Sequence, residues 1–131
     1  MSKPPKHPKH RGEWAELRFM AAAADHGLHV AKPYGDSRPY DTLVEYNGRI
    51  WRVQVKATSR RIHGGFQCVM SSVRPAYTRR EIDFFAIYVI PHDAWYIIPV
   101  EKVSRSSVFF RGNHRKGKFA PYREAWHLLR G

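Results

Sequence analysis

The sequence predicts an α/β fold, with strands through the middle of the chain and helices at its two ends. Three observations carry this. Residues Glu13 to His26 repeat apolar side chains at three- and four-residue spacing, Asn47-Gly48 separates two runs rich in β-branched and aromatic residues, and Ile82 to Ile90 is an almost unbroken apolar stretch. At 131 residues the chain is expected to form one domain, large enough for a core but too small for two.

Residues Met1 to Arg11 hold three prolines and no apolar periodicity, so they read as a flexible basic arm, and residues 12–131 as the single domain. The first helix carries a stripe of Trp14, Leu17, Met20, Ala21 and Ala24 and stops at Gly27. Glu13 and Glu16 lie on neighbouring flanks of it; either also suits a helix N-terminus, where the dipole favours a carboxylate. Leu28 to Lys32 forms a short strand, and Pro33 to Pro39 is dense in turn formers, with Asp36 either an Asx-turn residue or a further ligand for the site described below.

After the central hairpin, Ala57 to Gly65 reads as a basic loop with Arg60, Arg61 and His63, and Phe66 to Met70 as a strand. Arg74 to Glu81 is helix or turn, with Tyr77, Arg79 and Arg80 as phosphate contacts. The apolar run Ile82 to Ile90 marks a buried central strand, with Asp83 at its mouth as a cap or the partner of an arginine. Pro91 to Ala94 turns the chain and Trp95 to Pro99 returns it. Val100 to Val103 suits a short helix, and Ser104 to Phe110 is ambiguous. A second basic loop runs from Arg111 to Lys118 and includes Arg115 and Lys116. Tyr122 to Leu129 closes the chain as a helix with Trp126 and Leu129 inward.

There are 23 Lys and Arg against 11 Asp and Glu, a net charge of +12 and an isoelectric point near 10.3. Such an excess points to a polyanionic partner, and the interleaved aromatics, 14% of residues, suit nucleic acid better than a membrane surface. Charge alone also fits an ordinary basic protein. The single cysteine, Cys68, rules out an internal disulfide framework and a cysteine-based zinc site, and reads as a small buried residue. No apolar run reaches membrane-spanning length, so the expectation is a soluble, cytoplasmic protein without a membrane partner.

The hairpin is where chemistry is legible. Asn-Gly tolerates the two positive φ angles of a type I′ turn, which pairs Tyr46 with Arg49 and sets Asp41 opposite Gln54. Opposed Cβ atoms lie roughly 5 Å apart on one face. Alternation puts Thr42, Val44, Trp51, Val53 and Val55 on an apolar face, and Asp41, Arg52, Gln54 and Lys56 on the other. A carboxylate, an amide oxygen and an ammonium therefore meet at the open end of the hairpin. Phosphodiester hydrolysis needs a hard divalent cation on oxygen ligands, and Asp41, Gln54 and the backbone carbonyl of Val55 offer them. Lys56 is placed to orient or deprotonate the attacking water. The same four residues also suit a merely solvated hairpin face.

The ordered set Arg-Gly-Glu-Trp-Ala-Glu (11–16), Gly-Asp-Ser-Arg-Pro-Tyr-Asp (35–41), Val-Gln-Val-Lys (53–56), Ile-Asp-Phe-Phe-Ala-Ile-Tyr (82–88) and Trp-Tyr-Ile-Ile-Pro (95–99) resembles the PD-(D/E)XK nuclease superfamily. The likeness is to its small stand-alone DNA endonucleases of the intron-encoded homing type. It implies a restriction-endonuclease-like core, a mixed sheet of four to five strands flanked by helices. It maps Asp41 onto the motif's aspartate, Gln54 onto its second acidic position, Lys56 onto its lysine and Glu16 onto the acidic residue of the first helix, with Glu13 in reserve. Gln54 departs from Asp or Glu and removes one negative charge. The implied activity is Mg²⁺-dependent cleavage of double-stranded DNA, with Mn²⁺ as a substitute, leaving a 5′-phosphate and a 3′-hydroxyl. Double-strand cutting calls for a dimer or tetramer. Arg52, Arg60, Arg61, His63, Arg79, Arg80, Arg115, Lys116 and Lys118 are the expected DNA contacts. A non-catalytic DNA-binding module and a structure-selective nuclease such as a junction resolvase are the alternatives.

Overall fold

The computed structural model describes residues 3–35, 37–70 and 81–131. It places helix α1 over Pro8–Asp25, then strands β1 (His29–Ala31), β2 (Thr42–Tyr46), β3 (Arg49–Thr58), β4 (Arg61–Ile62), β5 (Gly65–Val69), β6 (Phe84–Val89), β7 (Ala94–Pro99) and β8 (Ser107–Arg111). Short 3₁₀ turns lie at Ile90–His92, Val100–Lys102, Ala120–Tyr122 and Trp126–Arg130.

The main sheet has the order β1-β2-β3-β6-β7, with β3 and β6 parallel and the other neighbours antiparallel. This is the mixed five-stranded α/β sheet expected. The flanking layers differ from the expectation. One face is covered by α1 and the C-terminal turns, the other by a second antiparallel sheet, β4-β5-β8. Both faces of β6 are therefore buried: Phe84, Ala86 and Tyr88 pack toward the helix, and Phe85, Ile87 and Val89 toward the small sheet. That double burial is why the run reads as continuously apolar instead of alternating.

Four local readings change. The helix begins at Pro8, where proline suits the first turn and the His7 side chain accepts from Lys9 N, so Pro8 to Arg11 belong to the helix instead of the arm. It ends in a Schellman arrangement, with Gly27 at φ 77° and Leu28 N bonded to Ala23 O at 3.1 Å. Its buried stripe is Ala15, Phe19 and Ala23, while Leu17 is 64% exposed. An alanine-rich helix offers two apolar stripes, and the small side chains of this one let it sit close on the sheet.

The loop expected over Ala57 to Gly65 is a second tight hairpin. His63 and Gly64 both adopt positive φ and join β4 to β5. The terminal helix expected over Tyr122 to Leu129 is broken at Glu124, which sits at φ 52°. Its carboxylate accepts from Trp95 N and Trp126 Nε1, both at 2.7 Å, and these bonds replace helical ones. Trp126 and Leu129 do point inward. Among the described residues no helix is long and apolar enough to cross a membrane.

Candidate active site

The Asn47-Gly48 turn, at φ 50° and 80°, imposes the pairing Tyr46 with Arg49 through Thr42 with Val53. β3 outruns its partner, so from Gln54 onward its ladder continues only with β6. The freed edge opens into a cleft of about 700 Å³. One wall is the N-terminal part of α1 (Arg11, Gly12, Ala15, Glu16), the floor is Gln54 to Ser59, and the opposite wall is Gln67 to Val69 of β5. Thr58 Oγ1 donates to Gln67 O and ties that wall to the floor.

Asp41 enters at the corner. Its backbone N–H donates to Val53 O at 2.9 Å, and its Oδ2 accepts from Val55 N at 2.8 Å. A strand residue's N–H and C=O point to the same edge, so the Val55 carbonyl lies on the strand edge that faces Asp41. Burial pushes the Asp41 carboxyl up to about 6 against the opposing Val55 N–H; the Glu16 carboxylate raises it further, and Lys56 and Lys32 pull it down.

Gln54 Oε1 is buried with no hydrogen-bond partner among the described residues. An orphaned buried oxygen is costly unless something completes it. Glu16 lines the same cleft and Glu13 does not, which separates the two helix candidates. Glu16 is ion-paired with Lys32. Lys56 lines the cleft two residues beyond Gln54.

The oxygens that could hold a cation are thus two carboxylates, an amide oxygen and a backbone carbonyl. Among the described residues no three His, Cys, Asp or Glu side chains converge as a metal cage. All-oxygen donors with few charges suit a hard divalent cation that keeps several waters. The desolvated Asp41 and the unpartnered Gln54 Oε1 fit a cation between them.

The basic candidates divide. Arg60 lines the cleft. Arg61 stacks on Phe66, 5.1 Å from its centroid. His63 turns the β4–β5 hairpin, whose tip meets the second basic loop through Gly112 N to Gly64 O at 3.1 Å; Arg115, Lys116 and Lys118 are exposed on that loop. Arg52 instead holds the fold. Its Nε and one terminal nitrogen both bond the Asp83 carboxylate at 3.1 Å, and its backbone N–H donates to the same group at 2.8 Å. The pair joins β3 to the mouth of β6, the arginine partnership considered for Asp83. Arg79, Arg80, Tyr77 and Asp36 lie outside the described residues.

Sequence reasoning missed Lys32 and the β5 wall. Lys32 follows β1, whose register with β2 carries it toward the Asp41 corner. Nothing in the sequence announces that pairing, because β1 and β2 are separated by a turn-rich segment with no regular spacing.

A mixed sheet with an acidic corner, a glutamine and a lysine on one strand, and a glutamate descending from the first helix defines the PD-(D/E)XK class of nucleases. The model of the PD-(D/E)XK endonuclease family matches residues 6–129, and the chain belongs to that family. Among solved structures it is similar to a bacterial homing endonuclease, I-Ssp6803I, with 28% identity and a TM-score of 0.80 over 95% of this chain and 91% of that one. It also resembles in fold the Archaeoglobus fulgidus Holliday junction resolvase Hjc, with 13% identity and a TM-score of 0.57 over 91% and 95% of the two chains. Comparison with curated protein sequences gives no match.

Proposed function

We propose that this protein is a divalent-metal-dependent DNA endonuclease acting on double-stranded DNA, of the homing type that its 28%-identical structural neighbour represents. The observation that carries this is one cleft lined by both the half-buried Asp41, whose carboxyl the fold desolvates, and Gln54, whose Oε1 has no partner among the described residues. Asp41, Gln54, Glu16 and the Val55 carbonyl would hold Mg²⁺, with Mn²⁺ as a substitute. When bound, the cation supplies hydroxide at neutral pH and neutralises charge developing on the phosphate.

The chain's own residues do the rest. Val55 N–H holds the Asp41 carboxylate in one orientation. Lys56 orients the attacking water and offsets the charge of the pentacovalent phosphate. Arg60, at the cleft rim, and Arg61, His63, Arg115, Lys116 and Lys118 on the adjoining hairpin and loop hold backbone phosphates. Attack on phosphorus with departure of the 3′-oxygen leaves a 5′-phosphate and a 3′-hydroxyl. One site cuts one strand, so a double-strand break requires two copies related by a two-fold axis, in a dimer or tetramer.

Plasmid nicking tests the reading: supercoiled DNA is relaxed with Mg²⁺ or Mn²⁺ and untouched with EDTA. DNA binding without metal-dependent nicking of duplex, junction or flap substrates would leave a non-catalytic DNA-binding module. Preferential cutting of junctions would move the protein to the structure-selective class.

A further inference from the structure

The small sheet does more than cover the core. Its inner face, Phe66, Cys68, Val108 and Phe110, is buried. Its outer face carries Gln67, Val69, Ser107, Phe109 and Arg111, because Gln67 pairs with Phe109, Val69 with Ser107 and Gly65 with Arg111. Gln67 and Val69 also line the cleft. Their cross-strand partners line a second groove of about 410 Å³, together with Arg105, Gly117, Lys118 and Phe119. One strand spacing, roughly 5 Å, separates the two, so cleft and groove form a continuous surface.

The groove is built. A Cβ on Gly65 would come within 2.5 Å of the Phe109 ring, so the glycine lets that ring lie flat on the sheet. A Cβ on Gly117 would come within 2.6 Å of the Arg111 stem, which packs against that backbone. Lys118 lies 5.3 Å from the Phe119 centroid. The lining holds three cations and no carboxylate, and none of the three forms an ion pair among the described residues. Two cations with packed stems, Arg111 and Lys118, and the exposed Arg105 beside the start of β8 line one groove, and such a row matches a run of phosphates.

We infer that the outer face of the small sheet is a DNA platform: the duplex leaving the cleft crosses β5 and β8, with Arg105, Arg111 and Lys118 on its backbone phosphates. This rests on duplex DNA being the substrate, and the test keeps the two readings apart. Binding of the full-length protein to a short mixed-sequence duplex is measured in EDTA over a salt series. The variant Arg105→Ala/Arg111→Ala/Lys118→Ala is expected to bind at least about tenfold more weakly at physiological salt and to lower the salt slope by about 0.9 per lost contact. The control Arg49→Ala/Lys102→Ala, two residues that line neither groove, is expected to keep the parent slope.

In the unmodified protein, DNA is expected to shield Lys118, and not Lys102, from acetylation read by mass spectrometry; this measurement stands even where the triple variant fails to fold. An unchanged slope in a folded triple variant, or equal acetylation of Lys118 with and without DNA, overturns the platform. So does shielding of Lys118 that grows with protein concentration in the absence of DNA, which would place a second copy of the chain in the groove. Nicking with a failed platform leaves the nuclease intact, and platform binding without nicking leaves the platform intact.

Discussion

Asp41 Oδ2 accepts the backbone N–H of Val55 at 2.8 Å, and this one bond orients the carboxylate against the strand edge on which the Val55 carbonyl also lies. Two oxygens of different chemical kind are thereby set at one strand edge, with no flexible side chain between them. A rigid edge suits a metal site, where small misplacements of ligands are expensive.

Asp41→Asn is expected to abolish metal-dependent nicking and yet to stabilise the metal-free protein. The Asp41 carboxyl is raised from 3.8 to about 6 in the fold, so the native state holds the proton more tightly than the unfolded chain. Its contribution is fully favourable below pH 3.8 and is lost as pH rises through about 6. Above that the variant should gain on the order of 1 kcal/mol, since Asn can still accept from Val55 N–H. Thermal melts in EDTA at pH 4 and pH 8 check this: the Asn variant melts higher at pH 8 only, and added Mg²⁺ raises the parent's Tm alone.

Lys56→Ala should slow cleavage by about two to three orders of magnitude, the usual loss when a preorganised group facing the reacting phosphate is removed. Duplex affinity in EDTA should fall by little more than one phosphate contact. Single-turnover rates with Mg²⁺, set beside binding isotherms, separate the two effects. A parent-like cleavage rate would remove Lys56 from the chemistry.

Gln54→Glu restores the charge that the motif's second acidic position carries in the family pattern. It is expected to lower the Mg²⁺ concentration for half-maximal nicking by about tenfold, as a third carboxylate joins Asp41 and Glu16. Lys32→Met acts in the same direction by releasing Glu16 from its ion pair. Mg²⁺ titrations of the nicking rate check both. Gln54→Leu should keep the fold, since the lost oxygen makes no internal hydrogen bond, and should lose activity.

Arg52→Ala and Arg60→Ala should differ in kind. Removing Arg52 strips a half-buried Asp83 of two charge-assisted bonds, and a loss of about 1–3 kcal/mol in stability is expected. Arg60 lines the cleft, so its loss should leave stability within about 0.5 kcal/mol and weaken DNA binding. Denaturant melts and anisotropy titrations on both variants tell them apart.

The sequence by itself determined the hairpin, its register and the acidic corner, because an Asn-Gly turn and period-two alternation are local rules that leave Asp41 no other opposite than Gln54. It likewise determined the buried β6, the return strand β7 and the break at Gly27. What only the tertiary structure decided were the relations that cross the chain. Which stripe of α1 is buried, and hence which glutamate reaches the cleft, depends on how closely alanines let the helix approach the sheet. Arg52 turned to Asp83, and Lys32 turned to Glu16, because distant strands became neighbours. Glu124 broke a helix that local periodicity favoured, since bonds to Trp95 and Trp126 outweighed helical propensity. The small sheet came from β8, which is ambiguous alone and becomes a strand when β5 offers it an edge. Local pattern sets the elements, and packing free energy, summed over residues far apart in the chain, selects among their arrangements.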